Sequence, residues 1–402
     1  MKEGMKAGME DSEFEDVLDD WFIESLKTYK DLHVYQLEGP TQVIEWTSGK
    51  TVCVAGYRQS KNEMLELRLP LKLLADENKG LCAERDFKVI HGGFTDGPVR
   101  SLKHIPGTRC VVTNDGLNSD LQLWQLGGDD SDVIRRTGSV KGRKRRSEEE
   151  EEQRGRGSMM AARLWSQSEV LHGGRSDEVQ LTDLESGRTL YTLATDSADP
   201  LSSLQFLSDN VFLAGCSNGN VYVADIRSPA APQLSPPPAP PAGGDVLWWS
   251  DASAGSEPAG CRLLQLSACG QAVVSDLRSL GGGAAVVSRA RLDVGTRRCG
   301  LDDVRVSWAP ALNDCVSVSG FSGSVQIYDA SVWSSEQQQE VEPLFEHRGH
   351  SVSSQRSDDD DASVFITAHV WHPERPRTLL SAASDGSVHV WDWVDRSAAG
   401  GC

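Results

Sequence analysis

Short apolar runs recur along this chain, each broken by a turn and followed by a second run of alternating character. The clearest instance is LLSAASDGSVHVWDW, from Leu379 to Trp393. Leu379 to Ala383 is apolar, Ser384-Asp385-Gly386 reads as a turn, and Val388 to Trp391 alternates before an Asp. Two strands joined by Asp-Gly predict a hairpin, because glycine accepts the positive φ that a tight turn demands. The pairs Asn218-Gly219, Cys269-Gly270, Ser322-Gly323 and Asp385-Gly386 recur just before the third strand of successive units. Such recurrence is the mark of a repeat architecture.

Seven units follow from this rhythm. The first runs from Val43-Ile44-Glu45-Trp46 through TVCVAGY and MLELRLP. The second has VRSLKHIP, RCVVTNDG and LQLWQL; the third has AARLWS, VLHGG and VQLTDLESG. The fourth has LSSLQFL, NVFLAGCSNG and NVYVADIRS, and the fifth DVLWWS, CRLLQLSACG and QAVVSDLRS. The sixth has DVRVSWAP, CVSVSGFSG and SVQIYDA, and the seventh FITAHVWHP, TLLSAASDG and SVHVWDW. Trp391-Asp392 closes the last unit, and Gly349-His350 stands 41 residues before Trp391. That pairing is the signature of a WD repeat, one blade of a β-propeller. The fold class is therefore all-β: a seven-bladed WD-repeat β-propeller with a short N-terminal helix and disordered inter-blade loops. His350, Ser381, Asp385 and Trp391 are its structural tetrad, a hydrogen-bonded chain that satisfies polar groups between strands.

Residues 1–18 read as a disordered acidic leader and 19–31 as a short helix with Asp19 or Asp20 as cap. Trp21, Leu26 and Tyr29, with Phe22 beside them, give that helix an apolar stripe. The stripe either packs on the side of the propeller or docks a partner. The propeller occupies 32–396, ahead of a tail at 397–402, and LHVYQL at Leu32 to Leu37 is expected to pair with the Val388 to Trp393 strand. Such pairing closes the ring and removes free sheet edges. Disordered insertions are expected at about 127–158, 228–244 and 351–363, where the chain is charged or proline-rich.

The formal net charge is −19, which argues against the whole molecule as a nucleic-acid binder. Nine cysteines without a Cys-x-x-Cys pair indicate free thiols in a reducing compartment. The start, MKEGMKAGMEDSEFED, has no signal-like apolar core, and no apolar run is long enough for a bilayer span. A cytoplasmic protein is expected, without membrane, nucleic-acid or small-molecule partners.

The residues that could do chemistry are better explained as structure. His347 with His350, and His369 with His372, have ligand-like spacing, but a metal needs three or four convergent donors and a second shell. His91-Gly92-Gly93 and His172-Gly173-Gly174 resemble oxyanion loops, yet no Gly-x-Ser-x-Gly elbow accompanies them. His91 is expected in a loop before blade two and His172 in a strand of blade three. Lys141 to Arg146 could address the nucleus or an anionic partner, but Glu148 to Glu152 would neutralise it. Trp248-Trp249 and Val332-Trp333 are candidate binding spots, with packing between blades as the default. No catalytic, cofactor or metal site is assigned. A propeller of this kind is most economically a protein-interaction scaffold, its rigid rim losing little order on binding.

The stretches DDWFIESLKTYKDL, KNEMLELRLPLKL, ENKGLCAERDFKVIHGGF, VEPLFEHRGH and WHPERPRTLLSAASDGSVHVWDWVD resemble the WD repeat-containing protein 73 family of vertebrates. The resemblance spans nearly the whole chain, except the glycine-rich leader, the KGRKRRSEEEEE insertion and the proline-rich loop. It implies a non-enzymatic cytoplasmic propeller, with a nuclear pool as an alternative. It also implies association with the endonuclease-bearing subunits of the Integrator complex, and with spindle poles, the cleavage furrow, microtubule organisation and cell division. Three functions follow for testing: an assembly factor for a multisubunit complex, a direct microtubule or spindle adaptor and, least favoured, an enzyme using the central channel.

Overall fold

The inner strands of each unit are apolar on both faces, so each must lie between two neighbours. Packing around a ring supplies them. The computed structural model describes residues 21, 23–56, 62–70, 86–128, 130–142, 158–166, 168–238, 246–253, 261–279, 285–294, 304–336, 339–350 and 364–394. The expected leader, the tail, the 351–363 insertion, Phe22 and most of the basic and acidic blocks lie outside these residues.

Seven antiparallel sheets form, each begun by an innermost strand. Blade one comprises β2 (Val43–Ser48), β3 (Thr51–Ala55), β4 (Asn62–Arg68) and β5 (Lys88–Thr95). Blade two comprises β6 (Ser101–His104), β7 (Cys110–Asn114), β8 (Leu121–Gln125) and β9 (Arg135–Val140). Blade three holds β10 (Met159–Ala162), β11 (Glu169–Gly173), β12 (Gln180–Asp183) and β13 (Thr189–Thr192). Blade four holds β14 (Leu201–Phe206), β15 (Val211–Cys216), β16 (Val221–Asp225) and β17 (Gln233–Ser235). Blade five holds β18 (Trp248–Ala252), β19 (Arg262–Ser267), β20 (Gln271–Asp276) and β21 (Ala285–Leu292), extended by the parallel strand β25 (Gln339–Val341). Blade six holds β22 (Arg305–Trp308), β23 (Cys315–Ser319), β24 (Val325–Asp329) and β26 (Phe345–His347). Blade seven holds β27 (Ile366–Trp371), β28 (Thr378–Ala383) and β29 (Ser387–Trp393), completed by β1 (Tyr29–Gln36).

The strand from the N-terminal end thus closes the ring as the sequence predicts. It runs antiparallel to β29, with Tyr29 opposite Trp393 and Gln36 opposite Ser387. Each innermost strand also meets the next around the circle, and β2 meets β27. Hydrophobic side chains gather between adjacent blades. One cluster joins blades six and seven through Val325, Ile327, Leu379 and Trp391. Another joins blades seven and one through Val52, Leu67, Leu380 and Val388. At about 25 cal/mol per Å² of apolar area, these interfaces are the main term holding the ring.

Gly219, Gly270 and Gly386 have φ of +89°, +82° and +88°, as the recurring turns require. In blade six the positive φ falls on Gly320 (+91°) rather than Gly323. Two expected insertions also contain structure. β9 lies within the expected 127–158 insertion and β17 within 228–244. Both are outermost strands with little buried surface, so neither carries an apolar pattern. In blade three the first strand is MMAA, two residues earlier than AARLWS, and Trp165 stands in the following loop, 82% exposed. His91 sits in outer strand β5 rather than in a loop, and His172 in β11.

Candidate functional site

Blade seven brings His350, Ser381, Asp385 and Trp391 together, but through a fifth residue. Trp391 Nε1–H donates to Ser381 Oγ over 3.2 Å, and Ser381 Oγ lies 2.8 Å from His350 Nε2. His350 Nδ1 lies 2.6 Å from Ser387 Oγ, and Ser387 in turn donates to Asp385 Oδ1 over 2.6 Å. Asp385 also accepts the Ser387 backbone N–H at 2.9 Å. These contacts fix every proton. A carboxylate only accepts, so the Ser387 hydroxyl donates to Asp385 and must receive a proton from His350 Nδ1. His350 is then the Nδ1–H tautomer, and its Nε2 accepts from Ser381. The relay runs one way, from the indole N–H to the carboxylate, and its members polarise one another. Ser387 escaped the sequence reading because a serine two residues after a turn Asp is ordinary turn chemistry.

A second row lies beside the first. Tyr29 Oη is 2.7 Å from His347 Nδ1, and His347 Nε2 is 3.0 Å from His389 Nδ1. His389 stacks on His350, with ring centroids 3.7 Å apart and planes 13° from parallel. His347 stacks on Trp391 at 4.7 Å. Three buried histidines thus converge, with a ligand atom of each within 4.8 Å of the others. Yet both His350 nitrogens face serines, both His347 nitrogens face Tyr29 and His389, and only His389 Nε2 lacks a partner among the described residues. The set is a hydrogen-bonded stack rather than a ligand sphere. Burial, then the neighbouring histidines, pushes His347 and His350 well below the usual imidazole range, and burial pushes His389 down to about 3. All three are neutral near pH 7.

His369 and His372, paired by spacing, part company. His369 lies between Ser317 and Ser319 of blade six, 2.7 Å from each hydroxyl. His372 reaches the Gly49 carbonyl of blade one at 3.0 Å. Opposite directions are what alternation along a strand imposes on residues three apart.

Blade one, which lacks the WD dipeptide, solves the same problem with charge. Glu66 on β4 is wholly buried. Arg109, at the start of β7 in blade two, donates to Glu66 Oε1 at 2.8 Å and to the Gly127 carbonyl. Thr47 donates to the same carboxylate at 2.7 Å, and His91 Nδ1 lies 2.6 Å from Oε2. Burial alone would raise the Glu66 pKa, but the bonds from Arg109, Thr47 and His91 outweigh it and hold the carboxyl below its usual range. The node stitches blade one to blade two. A Glu in an alternating strand carries no mark of it in the sequence.

The expected docking stripe is divided. The N-terminal helix ends where the Val394 N–H meets the Thr28 carbonyl at 2.8 Å. Leu26 points outward, 69% exposed, with Ile23 at 53%. Tyr29 instead begins β1 and packs edge-on against Phe345 and Trp391. Trp21 is half-buried over blade six. Among the other aromatic candidates, Trp248 and Trp249 are both buried, Trp249 against Phe321 of blade six. Trp333 is buried while Val332 is 70% exposed.

A closed ring of seven sheets with a Trp–Ser–His relay in its last blade defines a WD-repeat β-propeller. Similarity over nearly the full chain narrows the class. The chain is 45% identical to the Integrator complex assembly factor WDR73 of Danio rerio over 385 residues, covering 95% of this chain and 98% of the relative. It is 41% identical to the protein of that name from Homo sapiens over 386 residues (94% and 98%) and 40% identical to that of Xenopus laevis over 375 residues (93% and 97%). The chain belongs to the WDR73 family. No protein-family model matches it.

Proposed function

We propose that this chain is a non-catalytic assembly factor for the Integrator complex, a rigid ring that holds protein subunits while they are put together. The observation that carries this reading is the 45% identity, over 95% of this chain, to a protein named for that role. The fold supports it: a propeller presents a broad fixed rim, and pre-formed surfaces bind with little loss of order. The endonuclease-bearing subunits are the expected clients. In this reading the chain works in the cytoplasm and reaches spindle poles or the cleavage furrow through a bridging protein. Its net charge of −19 disfavours direct contact with the acidic surface of tubulin.

The test is affinity purification of the full-length chain at moderate salt, from dividing and non-dividing cells, read by quantitative mass spectrometry. Integrator subunits at near-equal stoichiometry in both are expected. Their absence from both, with tubulin-associated proteins enriched only in mitotic cells, would overturn the reading in favour of the adaptor.

A further inference from the structure

The N-terminal helix stands beside blade six. Between it and outer strand β26 of blade six is a cleft of about 560 Å³. We propose that this cleft docks a basic, amphipathic segment of a partner protein, with its apolar face on the cleft floor and its lysines or arginines at the rim. The proposal rests on the assembly-factor reading for its biological setting but on the cleft alone for its chemistry.

The floor is aromatic: Trp21, Tyr29, Phe345 and Trp393 line it. Phe345 and Trp393 stack at 5.8 Å, presenting a stiff apolar surface. Apolar side chains also stand at the edges in solvent, with Leu344 49% and Val394 44% exposed. Residues 21, 24, 25 and 28 face the cleft, so Ile23 and Leu26 stand on the opposite side of the helix, outside it.

The rim is acidic. Among the described residues, Glu24, Asp293, Glu342 and Glu346 line the cleft against one cation, Arg348, whose guanidinium is held by Glu346 at 2.8 Å. Carboxylates around an apolar floor select a cationic amphipathic partner and repel an acidic one. The same rule excludes two occupants from within. Residues 1–20 carry eight carboxylates and two lysines, and a second copy of the chain brings a net charge of −19. Burial and then the field of Glu24 and Glu346 raise the Tyr29 phenol, in keeping with a negative cleft.

The test uses the full-length protein and a fluorescein-labelled amphipathic peptide of leucine and lysine, read by anisotropy. Controls are the Lys→Glu peptide and a scrambled peptide of equal composition without an apolar face. Saturable binding of the first alone is expected, with hydrogen-exchange protection confined to 21–28 and 341–348. Leu344→Asn and Glu342→Lys, both at exposed positions lining the cleft, should each weaken binding at least tenfold at unchanged melting temperature. Should either variant melt early, Glu24→Gln is read in its place, with at least threefold weakening expected. Equal binding of the scrambled peptide, protection elsewhere, or variants that bind like the parent would overturn the proposal. The two readings fail separately. Peptide binding without recovery of Integrator subunits would remove the assembly-factor role and leave the cleft. Undiminished recovery of those subunits with peptide-insensitive variants would remove the cleft and leave the role.

Discussion

Blades seven and one both bury polar groups between strands, and they do so in opposite ways. Blade seven uses neutral groups in series: indole, hydroxyl, imidazole, hydroxyl, and one carboxylate at the turn. Blade one gathers an ionised carboxylate, a guanidinium, an imidazole and a hydroxyl around one fully buried point. The relay acts within one blade and orients its loop and turn. The charged node reaches across to blade two. A neutral chain costs little to desolvate and depends on tautomer. An ion pair is costly to bury and, once buried, costly to break.

Acid should separate the two most. The blade-seven histidines have folded pKa values below the unfolded value near 6.5, so their stabilising effect is whole above that value. It declines as pH falls through it, by about 1.4 kcal/mol per pH unit for each histidine. Glu66, whose folded pKa is also lowered, holds until the ordinary carboxylate range near 4.5 is crossed. Hydrogen exchange corrected for intrinsic rate should therefore show blade seven opening before blade one at about pH 5. Simultaneous opening would mean the ring melts as one unit and would erase the contrast.

Arg109→Met comes next. It leaves Glu66 buried without its main partner and should cost about 3–5 kcal/mol near pH 7. The loss should shrink toward about pH 4, because the stranded carboxyl then takes up a proton. Urea denaturation at the two pH values reads both effects, and an equal loss at each would show that packing dominates over charge. Ser387→Ala should cost about 1–3 kcal/mol, since it removes the hydroxyl that accepts from His350 Nδ1–H and leaves Asp385 with the backbone N–H of residue 387. A double-mutant cycle with Asp385→Ala should show strong coupling; additivity would break the five-member relay into separate contacts. Tyr29→Phe is the smallest change. It keeps the packing on Phe345 and removes one bond to His347, at about 1 kcal/mol.

Legibility fell off outward along each blade. The second strands β3, β23 and β28 are buried throughout and β19 at every position but Arg262, and each could be traced as an apolar run. The outermost strands β9, β13 and β17 show mostly exposed positions and read as loop. An outer strand gains its backbone hydrogen bonds from one neighbour and buries few side chains, so its sequence has little to declare. The sites divide in the same way. His350, Ser381, Asp385 and Trp391 were visible because the repeat spacing marks them. His389 and the Glu66–Arg109 node were not, because their partners lie in other strands or in the next blade, and Ser387 was not, because it reads as ordinary turn chemistry.

By itself the chain determined its number of blades, the closure of the ring by its first strand and the turns at Gly219, Gly270 and Gly386. Those features depend on local alternation and on backbone freedom at single residues, which a linear pattern records. Only the tertiary structure decided that Tyr29 packs inward while Leu26 faces out, that three histidines from two blades converge, and that a buried Glu in blade one meets an Arg of blade two. The physical reason is range: a hydrophobic period reports on the next turn or strand, whereas a buried polar contact depends on whatever element the ring brings to its side.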